Sequence, residues 1–282
     1  MRKLPLSGLL LLAACGGSQV TEVQNLGSDT MLEVAGAWAE TYHKAHPEVV
    51  ISVSGGGSGN GVSALISGDV DIANCSRPMK DKEIESAKKH GHEPVMHEVG
   101  KDCIAIYVHK DNPIASLTIE QLAQMFGDGG KIAKWSDLGV NLGEANADPI
   151  ALVSRQNNSG TYECFREKVL GGDSGRFKPE CNNLNGSKDV VDFCAKTKSA
   201  IGYSGLAYAS DAVRIVPVVN AKTGQPVMPS IASVRDGSYP LARSLLMYTI
   251  GQPEGATKHY LDWIKGPEGQ KVLADKHYVP LH

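Results

Sequence analysis

Arg155, Ser159, Gly160 and Thr161 stand close together in the stretch Arg155-Gln-Asn-Asn-Ser159-Gly160-Thr161. An arginine offers a rigid fork of N–H donors, and a Ser-Gly-Thr turn adds two hydroxyls and backbone amides. That set suits an oxyanion. The stretch follows an apolar run, Ile150 to Val153, and precedes Tyr162, Phe165 and Val169 at helical spacing. It therefore reads as a turn between a strand and the start of a helix. Helix starts leave N–H groups without intrahelical acceptors and carry a partial positive charge, so they attract anions without needing a cation.

Three further turns repeat this arrangement. Thr21 to Leu26 runs into Gly27-Ser28-Asp29-Thr30, after which Met31, Val34, Trp38 and Tyr42 recur at helical spacing. Val49 to Val53 runs into Ser54-Gly-Gly-Gly-Ser58-Gly-Asn60-Gly61, with Val62, Leu65 and Ile66 opening a short helix. Val70 to Ala73 ends at Asn74-Cys75-Ser76-Arg77-Pro78. Taken singly, each turn is an ordinary helix cap, because Ser, Thr, Asp and Asn are favoured there. Four such turns at strand ends, where open parallel sheets bind ligands, point to one shared site for a compact multivalent anion. The glycine cluster is not a nucleotide phosphate loop, since Gly61 is followed by Val62 and Ser63 with no lysine.

The elements that must position these turns alternate strand and helix, which predicts mostly parallel sheets covered by helices. Lys80 to His90 reads as a polar helix, Glu93 to Val99 as a strand, and Cys103 to His109 as a strand leading into a second domain. Gly171 to Gly186 reads as a loop excursion, Val190 to Lys196 as a helix, and Val213 to Val219 as a strand. Trp38 and Trp263 read as packing residues. The expected division is a first lobe of 21–102 plus 219–282 and a second of 103–218, with hinges near 103–108 and 213–219.

Arg2 and Lys3 form a basic head before the apolar run Leu9 to Ala14, a pattern that describes an export signal. Leu12-Ala13-Ala14-Cys15 resembles a bacterial lipobox, which predicts cleavage after residue 14, lipidation of Cys15 and a tether over 15–20. The acylated chain would be held at a membrane and face the periplasm or cell exterior. The formal charge of -3 excludes the basic stripe of a nucleic-acid binder. Export permits disulfides among Cys75, Cys103, Cys164, Cys181 and Cys194, and Cys181 and Cys194 are expected to join each other or Cys164. No residue spacing calls for a metal or a cofactor. Catalysis by Ser58 or Ser159 would need a nearby base, and none of the four turns contains a histidine.

From Gly27 to His282, and most specifically over Arg155 to Thr161, the chain resembles the phosphate-binding lipoproteins of bacterial high-affinity phosphate ABC transporters, the PstS type. The resemblance implies an α/β, two-lobed periplasmic-binding-protein-like fold. Each lobe would be a mixed, mostly parallel sheet flanked by helices, with a hinge and an interlobe cleft. It implies a monomer that captures inorganic phosphate and hands it to transmembrane permease subunits. The phosphate ligands it implies are Thr30, Met31 (through its N–H), Ser58, Ser76, Arg77, Arg155, Ser159, Gly160 and Thr161. Many members carry an aspartate in the third turn to accept a phosphate proton, whereas this chain has Arg77 there. Asp29 is expected to supply a compensating acceptor or to pair with Arg77. Other readings of the same site are capture of sulfate, molybdate or arsenate, phosphate sensing without transport, and phosphomonoester hydrolysis.

Overall fold

The structure, a computed structural model, describes residues 20–282. Cys15, the basic head and the apolar run lie outside the described residues. In chain order the first elements are β1 (Thr21–Gly27), α1 (Leu32–Ala45), β2 (Val49–Ser54), α2 (Ser58–Ser67), β3 (Ile72–Cys75), α3 (Asp81–Lys89) and β4 (Pro94–His109). Next come α4 (Ile119–Phe126), β5 (Ala151–Arg155), α5 (Gly160–Leu170), β6 (Asn182–Leu184), α6 (Ser187–Lys196), β7 (Ala200–Gly205) and β8 (Val213–Val216). The last are β9 (Val218–Val219), β10 (Pro226–Val227), α7 (Ile231–Arg235), β11 (Ala242–Ile250), α8 (Gly255–Lys265) and α9 (Pro267–Asp275).

The strands pair in the order β2-β1-β3-β11-β4-β7-β5-β6, with β8 also on β4. Strands β1, β2 and β3 are mutually parallel, as are β5, β6 and β7, while β4 and β11 run antiparallel to their neighbours. Parallel strands joined through helices need both faces covered. In the first lobe Val23, Ile51 and Met247 pack with Trp38, Tyr260 and Leu273 on one face, and Ala73 and Leu246 pack with Val62 and Leu65 on the other. The second lobe repeats the plan, with Ile104, Leu152 and Ile201 against Phe126 and Phe165, and Ala105 and Val153 against Val190 and Cys194. The result is an α/β fold of two lobes.

Strand β4 spans 16 residues and belongs to both lobes. Its residues from Pro94 to Cys103 pair with β11, and those from Ile104 to Val108 pair with β7. The sequence reads as two strands there because Gly100, Lys101 and Asp102 interrupt the apolar pattern. Val227, Val234, Tyr239 and Leu241 pack in or against the second lobe's apolar cluster. Within the stretch read as a loop, Asn182–Leu184 adds a parallel edge strand to β5.

The expected disulfide is not formed. Cys75, Cys103, Cys164, Cys181 and Cys194 are all free and buried. Cys181 and Cys194 enter apolar clusters on opposite sides of the second lobe's sheet, so they cannot meet. Cys164 shares a cluster with Cys181 and is likewise unbonded. All five behave as small apolar fillers. Burial pushes the thiols of Cys75, Cys181 and Cys194 up to about 12, far from a reactive thiolate.

Candidate anion-binding site

The four turns follow β1, β2, β3 and β5 at their C-terminal ends and meet where the lobes face each other. Thr30 Oγ1 lies 2.8 Å from Thr161 Oγ1 across the interface. Ser28 Oγ donates to Ser76 Oγ at 2.9 Å, and the Ser76 amide donates to Ser58 Oγ at 3.1 Å. Thr30, Ser58, Ser76 and Thr161 are at most 1% exposed. So many hydroxyls in one dry place are costly to bury unless they bond one another or a shared guest.

Local sequence explains this convergence. Ser58 and Gly160 are the first residues of α2 and α5, whose leading N–H groups have no acceptor in their own helix. Ser159 caps α5, its Oγ accepting from the Thr161 amide at 3.1 Å and the Tyr162 amide at 3.4 Å. Gly160 must be glycine, because a Cβ there would lie 2.4 Å from Ser58 Oγ and 2.5 Å from Ser76 Oγ. Gly57, at φ +95°, lies against the Asn158 carbonyl, 2.8 Å from where a Cβ would stand. The contact is completed by the Gly59 amide donating to Asn158 O at 2.9 Å and the Asn158 side chain donating to Gly56 O at 3.0 Å.

The structure thus gathers Thr30, Ser58, Ser76, Ser159, Gly160 and Thr161. Met31 adjoins them, but its side chain is buried in the core and its amide donates to Ser28 O at 3.0 Å. Arg77 makes no hydrogen bond to the cluster hydroxyls among the described residues. It forks Glu83 with two 2.8 Å bonds and donates to Pro78 O, leaving only its buried Nε without a partner among the described residues. Burial works against the Arg77 charge, but the bond to Glu83 outweighs it and raises the pKa; Glu83 is correspondingly lowered, against its own burial.

Arg155 bonds partners on both lobes. Its Nε donates to Asn185 O at 3.1 Å, its Nη1 to Ser187 Oγ at 2.8 Å, and its Nη2 to Asp29 Oδ2 at 3.0 Å. Burial pushes its pKa down, and the charge of Asp29 partly restores it. Asp29 consequently pairs with Arg155 rather than with Arg77, and its other oxygen accepts from the Gly56 amide at 2.9 Å.

A further arginine bonds the hydroxyls of the cluster directly. Arg243 on β11 donates from Nη1 to Thr161 Oγ1 at 3.0 Å and from Nη2 to Thr30 Oγ1 at 3.1 Å. Its Nε and Nη2 also bond Asp102 Oδ2 at 3.0 and 2.7 Å. Sequence reasoning missed this pair. Its only signal is an arginine inside an otherwise apolar strand, Ala242 to Ile250, opposite an aspartate in the Gly100–Asp102 interruption. An open groove of about 1020 Å³ lies at the outer edge of the interface, lined by Lys80, Tyr162, Glu163, Arg166 and Phe177 among others, and no cluster hydroxyl lines it.

Comparison with known proteins matches residues 13–268 to the PBP superfamily domain. The phosphate-binding protein PstS of Pseudomonas aeruginosa is 33% identical over 92% of this chain and 83% of its own length. The chain belongs to the PstS family. The PstS protein of Bacillus subtilis is 29% identical over 97% of the chain and 90% of its own length. Among solved structures, a phosphate ABC transporter substrate-binding protein from Clostridium perfringens, determined with bound phosphate, aligns with a TM-score of 0.81 at 29% identity. That alignment covers 93% of this chain and all of the other. PstS proteins bind and hand on their ligand without converting it, so this family member is not an enzyme, and extracytoplasmic placement goes with the family.

Proposed function

We propose that the chain captures inorganic phosphate outside the cytoplasm and delivers it to the permease of an ABC transporter. One observation carries this reading: hydroxyls from four separate turns, with two helix starts and one guanidinium, converge in a dry interface between two lobes. Phosphate offers four oxygens, and each hydroxyl now bonded to a neighbouring hydroxyl can turn to donate to one of them. Thr30, Ser58, Ser76, Ser159, Gly160 and Thr161 are the proposed contacts. The relatives named for phosphate binding and the phosphate-bound structural relative support the choice of anion. The lobes that close would be 21–102 with 242–282, and 103–241. Acylation of Cys15 would hold the molecule, as a monomer, beside its permease.

Isothermal titration of ligand-stripped protein with phosphate, arsenate, sulfate and molybdate tests the reading. Phosphate should bind, and sulfate should bind far more weakly. Heat from sulfate or molybdate alone would keep an oxyanion site and remove phosphate as its ligand.

A further inference from the structure

The groove at the outer edge of the interface contains none of the cluster hydroxyls, yet its walls come from both lobes. Lys80, Asp81 and Lys82, at the start of α3, form one wall, and Tyr162, Glu163 and Arg166 on α5 form another. The first wall follows shortly after Ser76, and the second continues directly from Ser159 and Thr161. The segment from Arg176 to Pro179 completes the groove. It is pinned beside the end of α4, where the Asp128 amide donates to Arg176 O and the Lys178 amide to Phe126 O, each at 2.8 Å. Phe177 lies against Tyr162 with ring centroids 4.4 Å apart.

Charge in the groove runs against the charge of the chain. The whole sequence carries -3. The groove is lined by five cations, Lys80, Lys82, Arg166, Arg176 and Lys178, and by three acids, Asp81, Glu163 and Asp173. Glu163 is shared by Lys80 and Arg166, whose guanidinium also meets Asp173. Lys178 Nζ is turned onto the carbonyls of Gln124 and Ile132. Lys82 and Arg176, one from each lobe, are exposed and form no ion pair among the described residues.

Aromatic rings beside arginine are the composition of a protein-docking surface, and the excess of positive charge selects an acidic partner. A uniformly anionic membrane surface fits less well, because Asp81, Glu163 and Asp173 would face it. A groove walled by both lobes keeps this width only while Thr30 and Thr161 are in contact, so its occupant senses closure.

We propose that this groove receives an acidic segment of the permease, and that Lys82 and Arg176 make its ion pairs only when the lobes are shut. The proposal rests on the reading of the chain as a phosphate carrier and adds where its partner touches it.

The full chain, with its permease and ATPase reconstituted in liposomes, provides the test. Phosphate-dependent ATP hydrolysis is followed as phosphate-loaded protein is added, and phosphate affinity is measured separately by titration. Lys82→Glu with Arg176→Glu should raise the half-stimulating concentration by about tenfold or more and leave phosphate affinity within about twofold. Lys222→Glu with Lys276→Glu changes net charge equally at exposed positions outside the groove and should stimulate as the parent does. Parent-like stimulation by the groove variant overturns the proposal. An equal defect in the second pair overturns it too, as does a comparable loss of phosphate affinity in the groove variant. Liposomes of phosphatidylcholine, alone or mixed with phosphatidylglycerol, separate permease from membrane. The defect should appear in both, and one confined to the anionic liposomes assigns the groove to lipid headgroups and sinks the proposal. If the unaltered chain fails to bind phosphate, the functional reading itself is removed; if it binds but never stimulates the permease, delivery is removed and the proposal with it. Both are seen before any variant is made.

Discussion

At the centre of the lobe interface Thr30, Ser58, Ser76 and Thr161 meet as hydroxyls, sealed from water. At its rim the lobes meet as ions: Lys80 Nζ lies 2.8 Å from Glu163 Oε1, and Glu163 also bonds Arg166, which reaches on to the largely exposed Asp173. The two regions answer different demands. Inside, neutral donors can bond one another or a guest at similar cost, so the site can exchange its occupant. On the rim, charges already neutralise each other and remain partly wet, so they contribute little energy and help set how the lobes align.

The comparison would break first at Gly160. Gly160→Ala should weaken phosphate binding on the order of 100-fold, because the added methyl group strikes Ser58 and Ser76 across the interface. Denaturant midpoints should move little, since the clash lies between lobes; full affinity by titration would show that the lobes do not meet there in the bound form. Next come the central hydroxyls. Thr161→Val and Thr30→Val keep the shape and remove one donor each, and about a tenfold loss of affinity is expected from either. Asn158→Ala removes one interlobe bond while the Gly59-to-Asn158 backbone bond remains, so roughly a threefold loss should suffice.

The rim should respond least. Glu163→Gln ought to change phosphate affinity by less than about threefold at neutral pH. Its signature lies in acid. Burial raises the Glu163 pKa, but bonds from Lys80 and Arg166 overcome this and leave it lowered. The carboxylate therefore contributes stability above the ordinary glutamate value of roughly 4.3, and loses it as pH falls through the lower folded value. Melting curves of the parent and Glu163→Gln should differ at neutral pH and converge in acid. A difference that grew on acidification would contradict the ion pairing.

Much of this was legible from residue order. The strand–turn–helix units were visible because apolar runs end abruptly in Ser, Thr and Gly, and their convergence followed from parallel topology. Arg155 shows the limit. Type and spacing made it a candidate anion ligand, and only the fold adds that it bonds Asn185, Ser187 and Asp29 as well. Arg243 and Asp102 were hidden for the converse reason: they are far apart in sequence and become partners only through antiparallel register. The cysteines misled because an exported chain permits a bond that the geometry of two opposed clusters forbids.

Strand β4 carries a mechanical consequence. It runs without a break from Pro94 to His109 while exchanging one ladder partner for another at Cys103 and Ile104. Any rocking between the two halves must then be absorbed as torsion of pleated backbone rather than as the swing of a slack linker. Asp102 adjoins that exchange and pairs with Arg243, so a twist of the ribbon and the bonds from Arg243 to Thr30 and Thr161 involve the same few peptides.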